Sequence, residues 1–253
     1  SHTNAIWKER MPNHTYNEYQ IRKDEPVNAR YYYRTNGLVN LDKSNMPSYQ
    51  PEAYQKPGCP IIVDLNGDGL ITVEDVDMKN VIPSLYWGFG NTFTYKNWDL
   101  DVFIYSQLGV DKYNDVYSWT SGRGLGNQTN NMSVYIKDVW HSELNPNGTI
   151  PGIAYEMASV SLPGGAGTDI GYENSSFVRV RNITLGYNFK PNQLGALSKL
   201  LSGIRVYVDV QNPFTFTGYT GLDPEVNTGG NYKGGKAEYP QTRTFSLGAK
   251  LSF

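Results

Sequence analysis

Stretches of this chain alternate apolar and polar residues with period two, and the connections between them are short and long by turns. In "RTFSLGAKLSF", Phe245, Leu247, Ala249, Leu251 and Phe253 form one set, and Thr244, Ser246, Gly248, Lys250 and Ser252 the other. Successive side chains of a strand point to opposite faces, so one face here is apolar and the other small, polar or basic. Residues 84–95, "SLYWGFGNTFTY", set Leu85, Trp87, Phe89, Phe93 and Tyr95 against Gly88, Gly90, Thr92 and Thr94. A two-residue turn, Lys96-Asn97, leads into 98–108, where Trp98, Leu100, Val102 and Ile104 oppose Asp99, Asp101, Phe103 and Tyr105. Two residues between alternating runs signal a hairpin. Residues 175–189 and 203–216 continue the pattern, and a weaker candidate spans 18–36. Arg179 and Arg181 fall on the apolar parity of 175–189, which predicts either a bulge or a strand end standing clear of lipid.

The connections run long (37–83), short (96–97), long (109–174), intermediate (190–202) and long (217–242). Loops beyond about 15 residues are unusual in compact soluble domains. Long loops on one side and short turns on the other are how outer-membrane barrels are built. Tyr95, Trp98, Tyr187, Phe189 and Phe253 gather at the short-turn ends, and Tyr86, Trp87, Phe214 and Phe216 towards the long-loop ends, as two interfacial aromatic rings require. The expected class is all-β: an antiparallel transmembrane barrel segment of about six strands. The competing class is a soluble β-sandwich, whose strands are also half buried.

Composition agrees with either. A net charge of -2 and a pI near 5.9 point to no nucleic-acid partner. The single cysteine, Cys59, excludes an intrachain disulfide framework. Mean hydropathy is -0.51, which a barrel tolerates because only alternate residues meet lipid. The chain opens "SHTNAIW" with no initiator Met or signal peptide, and reads as a mature product or a fragment.

One loop carries metal-type spacing. In "DLNGDGLITVED" (64–75), Asp64, Asn66 and Asp68 stand at positions 1, 3 and 5, and Gly69 at 6. Leu70 offers a carbonyl, Thr72 stands at 9 and Asp75 at 12. This spacing curls oxygens around one point and suits Ca²⁺. Position 12 is Asp rather than Glu, and no entering helix precedes the loop, so it is a calcium-type loop without an EF-hand. The plainer reading is an Asp/Asn/Gly turn that satisfies its own backbone.

Catalytic patterns are missing. His2, His14 and His141 form no zinc-protease spacing, and there is no G-x-S-x-G or phosphate-binding loop. Asp99 and Asp101 share one strand face and read as ordinary lumen carboxylates. No enzyme is expected. In the long loops Trp119, Trp140 and Tyr219 are candidates for stacking on a substrate, with loop packing as the plain alternative.

Several ordered stretches resemble the C-terminal part of the SusC/RagA family of TonB-dependent outer-membrane transporters of Bacteroidetes. "EPVNARYYYRTNGLVN" is similar to that family's Y-G-Y-x-x-D-G-I strand, and "VDLNGDGLIT" to its D-x-N-G-D-G-x-I loop. "GFGNTFTYKNWDLDVFI", "NSSFVRVRNITLGYNF" and "IRVYVDVQNPFTFTGYTGLDPE" follow in the family's order. The resemblance implies a 22-stranded barrel closed by an N-terminal plug domain, which this chain does not contain. It implies drive by TonB through that missing part, a SusD-like surface lipoprotein as partner, and import of oligosaccharide or peptide across the outer membrane. Phe245, Leu247, Leu251 and Phe253 would then form the terminal signal read by the barrel-assembly machinery. The alternative function is a secreted, calcium-stabilised β-domain that binds glycan or a surface partner; a glycoside hydrolase fragment lacks a separated carboxylate pair.

Overall fold

The computed structural model describes residues 30–114, 117, 132–152, 162–163, 167–226 and 239–253. Its strands are β1 (Arg30–Tyr33), β2 (Thr35–Leu38), β3 (Pro60–Ile62), β4 (Val76–Lys79), β5 (Leu85–Tyr95), β6 (Trp98–Leu108), β7 (Asp111–Tyr113), β8 (Tyr172–Asn174), β9 (Phe177–Phe189), β10 (Gly203–Thr217) and β11 (Thr244–Ser252). Five of them form one antiparallel sheet in the order β11-β10-β9-β6-β5. They are 9 to 15 residues long, enough to cross a bilayer when tilted.

The register aligns each face across the whole sheet. Phe93, Leu100, Leu185, Val208 and Leu247 lie in one row; Thr92, Asp101, Thr184, Asp209 and Ser246 lie in the next. The period-two pattern read along each strand therefore becomes two continuous surfaces. Nothing covers the apolar one among the described residues: Phe93 is 58 % exposed, Phe245 71 % and Leu247 78 %. A water-soluble sheet would bury this face against a second layer.

The hydrophobic core lies elsewhere. Tyr31, Tyr33, Tyr54, Cys59, Ile62, Val76 and Leu162 pack together in the long-loop layer. There β1 pairs with β4, β2 with β3, and β7 with β8, as two-stranded ribbons. This corrects the expected sixth sheet strand. Residues 30–38 break into β1 and β2, and Tyr31 and Tyr33 bury under the loops rather than facing lipid; residues 18–29 lie outside the described part.

The short connections share one end. Lys96 adopts a φ of 57° to reverse the chain tightly between β5 and β6. The Asn97 amide donates to Gln193 Oε1 at 2.8 Å, joining this turn to the one between β9 and β10. Ser202 N–H donates to the Ser252 carbonyl at 2.8 Å and ties the C-terminal strand to the same end. Trp98, Tyr187 and Phe189 stack edge to face there, with ring centroids 4.8 and 4.7 Å apart.

A bulge settles the arginine question. Asn182 pairs with Phe103, but Val180 pairs with Ile104, so Arg181 is an extra residue in β9. Beyond it Val180 and Val178 rejoin the apolar face, and Arg179 turns to the polar one. On the other side β10 compensates between Gln211 and Phe214.

Ile183 stands in the apolar face about midway along β9, and Thr184 beside it faces Asp209. An Ile183→Arg substitution is expected to cost about 2–4 kcal/mol of folded barrel. Thr184→Arg should cost far less. Heat-modifiable migration of the full-length protein checks this; equal loss in both variants would remove the lipid-facing assignment.

Candidate functional site

The polar sheet face is held by short-range pairing. The Arg205 guanidinium forms an ion pair with Asp99, which also accepts from Asn188 at 2.5 Å. Thr92 donates to Asp101 at 2.7 Å, and Thr184 to Asp209 at 2.6 Å. Gly186 makes the Arg205–Asp99 pair possible, since a Cβ there would sit 2.6 Å from both partners. Gly248 likewise leaves room for the Tyr207 ring. These carboxylates are engaged in neighbouring pairs, so the face presents a wet, hydrogen-bonding wall and not an acid/base centre.

Above the sheet a charge cluster ties β9 to the segment 218–226. Arg179 is 1 % exposed. It grips Asp223 through Nη2 at 2.8 and 2.9 Å, Glu225 through Nη1 at 2.5 Å, and Thr215 through Nε at 2.9 Å. Arg181 also pairs with Glu225. The Lys112 ammonium donates to the carbonyls of Pro224 and, at 2.7 Å, of Val226. Three cations thus fix four consecutive residues, "DPEV". Burial alone would push the Asp223 carboxyl up, but the N–H groups of Glu225 and Gln241 and the Arg179 guanidinium together hold it below the ordinary carboxylate value. The sequence reading missed this cluster. Its signal was present in two arginines on the wrong parity and in an acidic pair some 44 residues downstream.

Glu173, in β8, collects a second set. It accepts from Asn114 at 2.8 Å and from the Thr220 backbone N–H and hydroxyl at 2.8 to 2.9 Å. Beside it lies an open cavity of about 480 Å³, bounded by β2, β8 and residues 149–151, with Tyr117, Tyr135 and Tyr172 in its wall.

The acidic loop is curled by Gly67 and Gly69, at φ 77° and 83°. Asp64 accepts from Gly67 N–H at 2.7 Å and Gly69 N–H at 2.8 Å. Asn66 accepts from Asp68 N–H, and Asp68 from Leu70 N–H at 2.8 Å. Asp75 is fully buried and accepts from Leu65 N–H at 3.0 Å and Thr72 N–H at 2.7 Å. Burial works to raise its carboxyl, and the amides of Thr72, Asn66 and Leu65 outweigh that and hold it low. Each side chain accepts from the loop's own backbone, and among the described residues no three acidic, His or Cys side chains converge on one point.

The stacking candidates are placed as follows. Trp140 is half-buried, its ring packed where a Cβ on Gly58 or Gly152 would stand. Tyr219 is buried with its ring against Gly221. Trp119 lies outside the described residues. Phe245, Leu247 and Leu251 line the bare face of β11, and Phe253 follows with 83 % exposure.

No family model matches the chain. Among curated proteins it is 33 % identical over 208 residues to the TonB-dependent receptor SusC of Bacteroides thetaiotaomicron, covering 80 % of this chain and 19 % of that one. It is 28 % identical over 242 residues to TonB-dependent receptor P3 of Formosa agariphila, covering 92 % of this chain and 23 % of the relative. Among solved structures, the RagAB peptide transporter superposes with a TM-score of 0.62 at 22 % identity, over 91 % of this chain and 23 % of that one. The RagAB peptide importer in its "closed-closed" state gives 0.64 at 21 % identity, over 98 % and 25 %. The chain thus spans about a fifth to a quarter of the proteins it is similar to.

Because the Asp223 carboxyl is held low, the stabilisation it brings is full above the ordinary carboxylate value of about 4 and is lost as pH falls through the lower folded value. Acid protease should therefore cut 218–226 only below about pH 4. Arg179→Leu, which strands Asp223 and leaves Glu225 with Arg181 alone, should cost about 3–5 kcal/mol and open the segment even at neutral pH. An unchanged cleavage pattern would show that the cluster does not hold the loop.

Proposed function

Since this chain belongs to the SusC/RagA family of TonB-dependent receptors, proteins of the bacterial outer membrane, we propose that it forms the C-terminal wall and three long loops of a nutrient importer. Like those relatives it is not an enzyme. The observation that carries the reading is the division of the sheet: an uncovered apolar face backed by a ladder of paired polar groups, with the only buried apolar cluster of the described residues under the loops. Such a wall separates lipid from a water-filled passage. The alternative of a secreted β-domain loses its support for the same reason.

In this reading the long-loop layer faces outward and meets a SusD-like surface lipoprotein. TonB acts through a part of the whole protein that precedes this segment, where the plug also belongs. The substrate is an oligosaccharide or a peptide; one relative is named SusC and the solved neighbours are named for peptide import. Trp140 and Tyr219 contribute by shaping the loop layer.

We further propose that the 64–75 loop takes Ca²⁺ as a structural ion, held by Asp64, Asn66, Asp68, the Leu70 carbonyl, Thr72 and Asp75. Its support is the oxygen spacing and the two left-handed glycines that already curl the loop. An exposed loop outside the cell meets calcium at the millimolar level that weak sites use.

Two measurements test these readings. On intact cells, a cysteine replacing Asn97 should resist an impermeant label and one within 225–235 should react; the reverse would invert the orientation. Calcium should protect 60–80 from protease, and Asp64→Ala with Asp68→Ala should abolish the protection. Equal cleavage with and without chelator would leave the loop as a self-satisfied turn.

A further inference from the structure

The cavity between β2, β8 and residues 149–151 has an unusual wall for its size. At about 480 Å³ it is within the range of small-ligand sites and has room for one or two residues of a peptide or sugar. Three tyrosines line it, two of them, Tyr117 and Tyr135, meeting edge to face at 5.4 Å. It also holds two carboxylates, Asp169 and Glu173, and none of its described lining residues is a lysine, arginine or histidine.

The two carboxylates are not alike. Both Glu173 oxygens are consumed by Asn114 and Thr220, so that residue braces the wall. Asp169 accepts one hydrogen bond through Oδ1, from the Thr35 hydroxyl at 2.7 Å. Its Oδ2 accepts none among the described residues, and its backbone is fixed by Asp169 N–H donating to the Tyr33 carbonyl at 3.0 Å. The Tyr33 ring is itself fully buried in the loop core. A carboxylate oxygen with spare acceptor capacity, on a rigid backbone and among aromatic rings, favours a cation.

We propose that this cavity binds the primary ammonium group of an imported ligand, either a peptide amino terminus or an amino sugar, with Asp169 as its counter-ion. The inference rests on the import reading and names the chemical feature that the importer selects. A neutral glycan gains only stacking and hydrogen bonds in this cavity. An ammonium group gains a charge-assisted hydrogen bond to Asp169 and the attraction of the tyrosine rings. An anionic ligand is repelled.

The experiment uses the full-length receptor, purified in detergent, and calorimetric titration with four probes: trialanine, N-acetyl-trialanine, a glucosamine trimer and an N-acetylglucosamine trimer. Acetylation removes the charge and leaves the rest of each ligand in place. Affinity is expected to fall about tenfold or more on acetylation, and which of the two free amines binds tells peptide from amino sugar. Asp169→Asn retains an oxygen for Thr35 and should erase the difference between free and acetylated probes, while Asp169→Glu restores part of it. Indifference to acetylation in the wild-type receptor overturns the proposal, whatever becomes of the variants. Failure of the import reading looks different: free amines bind as expected, yet cells carrying the receptor accumulate none of the probes.

Discussion

A backbone amide inside hydrocarbon has no water to turn to, and every feature of this sheet follows from that. Strands of 9 to 15 residues can satisfy their N–H and C=O groups only sideways, so β5, β6, β9, β10 and β11 must run in continuous register. Lateral pairing then forces side chains out at right angles and alternately, one to each face. Sorting residues by parity is therefore sorting them by solvent. The apolar rows and the polar rows are two consequences of one requirement. The same requirement leaves β5 and β11 as open edges among the described residues.

Much of this was written in the sequence because it is local. The limits of β6 were readable from 98–108, and those of β5, β9, β10 and β11 to within about two residues, a normal margin for strand ends. Lys96-Asn97 marked the hairpin. The parity clash at Arg179 and Arg181 marked an irregularity but left two explanations open, and only pairing with β6 and β10 distinguishes them. What failed was non-local. Tyr31, Tyr32 and Tyr33 look like a membrane strand by composition, yet their partners are β4 and the loop core, some 45 residues away. Nothing along the chain announces that Asp169 approaches Thr35, and the parity clash at Arg179 does not say which carboxylates it meets. The acidic loop was legible as a curl of oxygens; the sequence did not tell how many of those oxygens the loop's own amides would occupy.

The two halves of the structure are built on different physics. The sheet is stabilised by lipid and by hydrogen-bonded rows, and buries little within itself. The loop layer carries a conventional aromatic core and is stitched to the sheet by ionic contacts: Arg179 and Arg181 to Asp223 and Glu225, and Lys112 to the chain between them. A layer of long loops needs such anchoring, because long loops left to themselves sample many shapes. Placing the charged stitches on the polar face avoids the cost of an ion in hydrocarbon.

The extra residue at Arg181 has a genetic reading as well as a geometric one. It acts on side chains as a frameshift acts on codons: below it odd-numbered positions of β9 wear lipid, above it even-numbered ones do. Pulled straight with every residue kept, the strand would turn Arg179 outward into the bilayer and Val180 inward, undoing the stitching at one stroke, whereas excision of Arg181 would leave both on their present faces. A one-residue insertion elsewhere within β9 would need a second bulge to keep both halves on their faces, whereas a change of loop length moves no side chain across the sheet.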